Sequence, residues 1–188
     1  MKRVTILLSS YNGEAYLEEQ LESIAAQKDV QTNILVRDDG SSDRTCDILD
    51  QWQQKANLSW YSGENIGPAR SFMDLLRQAG DSCYYAFSDQ DDYWLSDKLK
   101  VAVDKLESYE KRPALYFCQT ELVDKDLNRV NSVIIHPRLS FGEALVYQFV
   151  GGCTMVMNRA LRDIILKYDP QYLSMHDVWI YDVAQAIG

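Results

Sequence analysis

The first half of the chain alternates four short apolar runs with segments of helical spacing, and few folds accept that order. Residues 4–10, 33–37, 58–61 and 83–87 read as strands. Between them, Leu17, Leu21 and Ile24, then Ile48, Leu49 and Trp52, then Phe72, Leu75, Leu76 and Ala79 recur at the steps of a buried helix face. Strands joined through helices run parallel, so the reading is an α/β protein with a mainly parallel central sheet flanked by helices. Ser42 or Asp43 is placed to cap the second helix. After residue 95 the rhythm changes. A helix with Leu99, Val103 and Leu106 leads to a strand-like stretch at 114–123, a turn at Asp124-Lys125-Asp126 and another strand near 130–135. The apolar residues 153–157 precede a helix capped by Asn158, and His176-Asp177 heads a last helix with Val178, Tyr181 and Val183. No linker or low-complexity segment divides residues 1–188, so a single domain is expected.

What the strands deliver is as informative as the strands. The fourth runs into Ser88-Asp89-Gln90-Asp91-Asp92, and the second into Arg37-Asp38-Asp39-Gly40-Ser41-Ser42-Asp43. Two carboxylates about 4 Å apart repel by about 4 kcal/mol at an effective dielectric near 20. Such a group is either a solvated acidic turn or is gathered around a cation, and oxygen-only ligands suit Mg²⁺ or Mn²⁺. Parallel strands end along one edge, so both acidic turns and Ser9-Ser10-Tyr11-Asn12-Gly13 converge where open α/β sheets bind ligands. Neither the Gly-x-Gly-x-x-Gly dinucleotide loop nor a Gly-x-x-x-x-Gly-Lys phosphate loop is present. A nucleotide can still be held: a carboxylate accepts from a base N–H, Tyr11 stacks, and a metal neutralises a diphosphate.

Composition removes other classes. The net charge is −9 and the 19 Lys and Arg residues are scattered, so nucleic acid is not an expected partner. The four cysteines form no Cys-x-x-Cys pair and each adjoins apolar residues, which reads as buried, reduced thiols. The apolar stretch after Met1-Lys2-Arg3 is too short for a signal peptide, and no run reaches the ~18 apolar residues of a transmembrane helix. A cytoplasmic protein is expected.

Six segments in order resemble family 2 glycosyltransferases of the GT-A fold, a large inverting group that uses nucleotide-diphosphate sugars. They are Ser10-Tyr11-Asn12, Asp38-Asp39-Gly40-Ser41-Ser42-Asp43, Asn65-Ile66-Gly67 with Arg70, Asp89-Gln90-Asp91-Asp92, Gly151-Gly152-Cys153-Thr154 and His176-Asp177-Val178-Trp179. The wording of the fourth and fifth is most similar to bacterial rhamnosyltransferases that assemble cell-surface polysaccharides. The resemblance divides the chain into a nucleotide-sugar half, 1–95, and an acceptor and base half, 96–188.

By that resemblance Asp39 bonds the base with Ser10, Tyr11 and Asn12 beside it, and Asp38 supports their loop. Asp89 lies near the ribose and, with Asp91, forms the Asp-x-Asp pair on Mn²⁺ or Mg²⁺. Arg70 approaches the diphosphate, and Asp177 is the catalytic base, its competing role being a helix cap. Asp92, Trp94, Gly151, Gly152, His176 and Trp179 fall to the acceptor and sugar. The resemblance implies a UDP- or dTDP-sugar donor, rhamnose first. It also implies a growing glycan or lipid-linked oligosaccharide acceptor reached by peripheral contact with the inner face of the membrane. Two other classes stay open: a nucleotidyltransferase, and a transferase module that binds nucleotide without turnover. The second is open because relatives of this type continue past the base helix with an Arg-Gln-His stretch, whereas this chain ends at Gly188.

Overall fold

Residues 4–8 are apolar at all but one position, and a strand of that kind belongs in the middle of a sheet, covered on both faces. The computed structural model describes residues 1–131, 140–147 and 150–187. In it β1 (Arg3–Ser10), β2 (Gln31–Asp38), β3 (Leu58–Ser62) and β4 (Tyr84–Ser88) pair in parallel in the spatial order β3-β2-β1-β4. Helices α1 (Leu17–Ala25), α2 (Thr45–Lys55) and α3 (Gly67–Gln78) make the connections. Alternate strand positions then divide the core. Val4, Ile6, Leu8, Ile34 and Val36 pack with Leu17, Leu21, Ile24, Leu49 and Trp52. Leu7, Tyr85 and Phe87 pack with Phe72, Leu75 and Leu76. Burying each such side chain is worth about 1.5–3 kcal/mol, which holds a helical layer on either face.

Next, α4 (Lys98–Leu106) returns to the first face through Leu99, Ala102 and Val103. There follow β5 (Leu115–Phe117), the ribbon of β6 (Leu122–Val123) and β7 (Arg129–Asn131), and a short α5 (Phe141–Ala144). The chain continues through β8 (Met155–Asn158), α6 (Arg159–Ile165) and α7 (His176–Ile187). The strand expected at 114–123 is therefore two short ones, because the chain leaves its pairing with β8 after Phe117. Of the strand expected near 130–135, residues 132–135 lie outside the described residues. Asn158 caps α6 as expected, its Oδ1 accepting from the Leu161 N–H at 3.0 Å. Asp43, not Ser42, serves the start of α2, accepting from the Thr45 N–H at 3.0 Å. The four thiols are free but not buried as expected: Cys83 is exposed and Cys46, Cys118 and Cys153 are partly covered.

β8 runs antiparallel to both β4 and β5, giving the full order β3-β2-β1-β4-β8-β5. Ala86 pairs with Val156 and Tyr84 with Asn158, so the residues just before β8 arrive at the edge where β4 ends. Gly151 and Gly152 reach the ends of the parallel strands through this reversal. Strand order turns about β1, and a crevice opens beyond the ends of β1 and β4. Among the described residues no helix is long and apolar enough to cross a membrane.

Candidate active site

The cleft at this edge encloses about 490 Å³, within the range of small-molecule sites. Its walls are Ser9 and Tyr11 from the end of β1, Asp39 after β2, and Asp89, Gln90 and Asp91 after β4. The head of α3 closes it with Asn65, Gly67, Pro68 and Phe72. Gly67 takes φ +77, where glycine is the least strained residue, and Pro68 suits a first helical turn.

Asp39 is the most elaborately held of these groups. It is only 3% exposed, and its carboxylate pairs with the Arg37 guanidinium. It also accepts from the N–H groups of Ile66 at 3.2 Å and Gly67 at 2.9 Å. A carboxylate at a helix N-terminus is electrostatically favoured there. Arg37 is itself buried, and reaches Asp74 at 3.2 Å, Ser71 at 3.4 Å and the Glu64 carbonyl at 3.0 Å. A Cβ on Gly63 would lie 2.5 Å from its Nη2, so glycine keeps room for the guanidinium. Asp38 turns inward and braces the loop, accepting from the N–H groups of Gly40 at 3.1 Å and Ser41 at 3.0 Å and from the Ser62 hydroxyl at 3.1 Å.

Strand parity corrects one assignment. Ser10, expected beside the base, points to the α1 face and is 1% exposed; only its carbonyl serves the site, accepting from the Asp39 N–H at 2.8 Å. Its neighbour Ser9 lines the cleft and bonds Ser71 at 2.7 Å. Asn12 is a brace: at φ 49 its Oδ1 accepts from the Ser42 N–H at 2.8 Å. Tyr11 stays half exposed on the cleft wall. Its backbone is clasped by Gln90, which accepts from the N–H at 2.9 Å and donates to the carbonyl at 3.2 Å. Arg70 bonds the carbonyls of Pro170 and Gln171 at 3.1 and 3.0 Å and Asp169 at 3.4 Å, tying α3 to the segment before α7. Those partners, and not the cleft, hold it here.

The acidic turn suits a divalent cation. Asp89, Asp92 and Cys153 each offer one ligand atom within 4.8 Å of the others, and Asp92 Oδ2 is buried with no hydrogen-bond partner among the described residues. Asp91 is exposed on the same cleft and lies outside that close group. Burial first, then the charges of Asp92 and Asp91, push the Asp89 carboxyl up to about 6, and Asp177 adds to the rise. Burial also raises Asp92, against the lowering by the Cys153 thiol and the Lys98 ammonium. Crowded carboxylates so raised have the electrostatic demand that a bound cation meets.

Asp177 lies in the first turn of α7 and is nearly buried. Its Oδ2 accepts from the Gly152 N–H at 3.0 Å and its Oδ1 from the Val178 N–H at 2.8 Å. Gly152 is glycine for a reason other than approach to a sugar: a Cβ there would lie 2.4 Å from His176 Nε2. Gly151 has no such constraint. His176, expected at the acceptor, is 2% exposed and stacks on Phe72 at 4.1 Å and Phe87 at 5.1 Å between ring centroids. Trp94, expected to stack on sugar, is 2% exposed and belongs to the core beside α1 and α4. Trp179 packs against the opposite core, with its indole Nε1 buried. These three aromatic rings are therefore supports behind the site.

His176 carries a pH signature. Burial lowers its pKa to about 4 from 6.5, against the opposing pull of Asp177. Between those two values the unfolded chain binds the proton and the folded one does not, so stability is full above pH 6.5 and falls as pH drops toward 4. The loss reaches about 3 kcal/mol. Thermal unfolding followed from pH 7.5 to 4.5 should show that part of the loss in the native chain and not in His176→Gln; equal slopes would refute it.

Residues 5–165 match the model of glycosyl transferase family 2, and the chain belongs to that family. Its sheet and helical layers are those of the GT-A fold. The dTDP-rhamnosyl transferase RfbG of Shigella flexneri is 40% identical over 202 residues, covering 95% of this chain and 65% of that protein. Among solved structures, S. aureus TarS 1–349 is 24% identical with a TM-score of 0.75, covering 100% of this chain and 56% of that one. The mannosyltransferase PcManGT from Pyrobaculum calidifontis, solved with GDP-Man and Mn²⁺, is 21% identical with a TM-score of 0.69, covering 94% and 50%. The chain thus spans less than two thirds of the length of each of these relatives.

Proposed function

We propose that this chain forms the donor site and catalytic base of an inverting, metal-assisted glycosyltransferase. It moves a sugar, rhamnose first, from a dTDP- or UDP-sugar to a hydroxyl of a growing cell-surface glycan at the cytoplasmic face of the membrane. The observation that carries the reading is convergence: Asp39, Asp89 and Asp91 share one cleft, and Asp177 lies near enough to contribute to the shift of Asp89. The dTDP-rhamnosyl activity named for RfbG favours thymine as the base and rhamnose as the sugar.

In this mechanism Asp39, fixed by Arg37 and the head of α3, accepts from an imide N–H of the pyrimidine, and Tyr11 flanks the ring. Asp89 and Asp91, with Asp92 behind them, would hold the divalent cation, which supplies positive charge beside the diphosphate. Asp177 takes the proton of the acceptor hydroxyl. The acceptor oxygen then bonds to the anomeric carbon as the bond from that carbon to the diphosphate oxygen breaks on the opposite face. One displacement inverts the centre, and no enzyme nucleophile takes part.

Calorimetric titration with UDP and dTDP, each with and without Mn²⁺, tests the donor site. Binding that needs Mn²⁺ and is lost in Asp91→Ala is the expected result. Failure of both nucleotides to bind in either condition would refute the reading.

A further inference from the structure

Lys98 is a half-buried cation on the acidic side of the site, and the mechanism above gives it no task. It opens α4, and its Nζ donates to the Cys153 carbonyl at 2.6 Å while lying 3.8 Å from the centroid of the Trp94 ring. The residue before Cys153 is Gly152, whose N–H is held by Asp177. The Gly152–Cys153 segment is therefore gripped from two sides, by the base and by Lys98. Cys153, whose carbonyl Lys98 holds, also brings its thiol within 4.8 Å of a carboxylate oxygen of Asp89 and of Asp92, so the ammonium sits beside the acidic turn. Burial lowers its pKa, and Cys118, Cys153, Asp92 and Asp89 oppose that lowering. Trp94, whose ring lies beneath the ammonium, is anchored through its backbone N–H, which donates to the Ser23 hydroxyl at 3.0 Å.

We infer that Lys98 is a positioning residue and resident counter-charge that couples the acidic turn to the base-bearing segment. The inference rests on the donor-site reading above. It assigns the ammonium two effects of opposite sign. It partly neutralises Asp89 and Asp92, which keeps the turn assembled before a cation arrives and weakens cation binding. It also fixes the Cys153 carbonyl, and so the Gly152 N–H that orients Asp177 toward the acceptor hydroxyl.

The two effects separate experimentally. With UDP present, Mn²⁺ affinity read by calorimetry should tighten about three- to tenfold in Lys98→Met, because a unit positive charge beside the acidic turn is removed. Lys98→Arg keeps the charge and should return the affinity to that of the native chain. The turnover number for sugar transfer in Lys98→Met should fall at least tenfold, with the donor KM changed less than threefold. If Lys98→Met fails to fold, Lys98→Gln removes the charge, keeps a donor for the Cys153 carbonyl, and carries the same comparison. Unchanged or weaker Mn²⁺ binding in the neutral variants would overturn the inference, since a merely structural lysine predicts that outcome. A native chain that binds neither Mn²⁺ nor UDP would overturn the donor-site reading together with it, whereas binding without the tightening overturns the inference alone.

Discussion

Asp177→Asn is expected to lower sugar transfer by a factor of about 10²–10⁴, the usual worth of a positioned general base. The asparagine keeps a carbonyl oxygen that can accept from the Gly152 or Val178 N–H, so α7 and the glycine turn should stay in place. What disappears is the ability to take a proton. Nucleotide affinity should stay within about twofold, because the cleft walls come from β1, β2, β4 and α3. The discriminating measurement pairs a turnover assay with a UDP titration on the same preparation. Near-native transfer in the variant would refute the base assignment. Lost nucleotide binding would mean that Asp177 acts through the fold.

Arg37→Met is expected to cost about 3–5 kcal/mol, the range found when one partner of a buried ion pair is removed. Arg37 and Asp39 have side chains 5% and 4% exposed, so solvent does little to screen the orphaned carboxylate. Asp74 would lose a partner too, although it keeps the Tyr61 hydroxyl at 2.8 Å. The pair need not stabilise the fold relative to two apolar residues. The cost lies in breaking it. Arg37→Met with Asp39→Asn should therefore recover part of the loss in stability while leaving nucleotide binding impaired, since in the proposed donor site Asp39 accepts from the pyrimidine. Urea unfolding of the single and double variants reads both effects, and a single-variant loss below about 1 kcal/mol would contradict the description.

The alternating first half was legible because strand and helix periods are local properties, and parallel strands must deliver their ends to one edge. Asp39, Asp89 and Asp91 each follow such a strand end, and the three line one cleft. Other features depend on a single residue of parity or on contacts distant in sequence. Ser9 and Ser10 are chemically alike, and only the pleat decides which faces the cleft. Trp94 follows the acids closely enough to look like a sugar platform, yet its ring folds back onto the core between α1 and α4. His176 heads a helix, a position more often wet, but Phe72 and Phe87 come from α3 and β4 to cover it. Arg37 carries a sequence signal of its own: a lone guanidinium after Ile34-Leu35-Val36 in a central strand requires partners, and it is buried against Asp39. Gln90 gave no such signal, because its clasp on Tyr11 joins loops 79 positions apart.

The reversal at β8 has an evolutionary consequence. The chain leaves the sheet after Phe117 of β5 and re-enters it at Met155 of β8, the strand beside it. The length and composition of the intervening sequence can drift while the pairing of the four parallel strands stays fixed. Yet the return point is the glycine turn whose N–H holds Asp177, the proposed base. Under the proposed function, such a layout would let a lineage exchange acceptors by rewriting that one stretch, with donor recognition inherited intact.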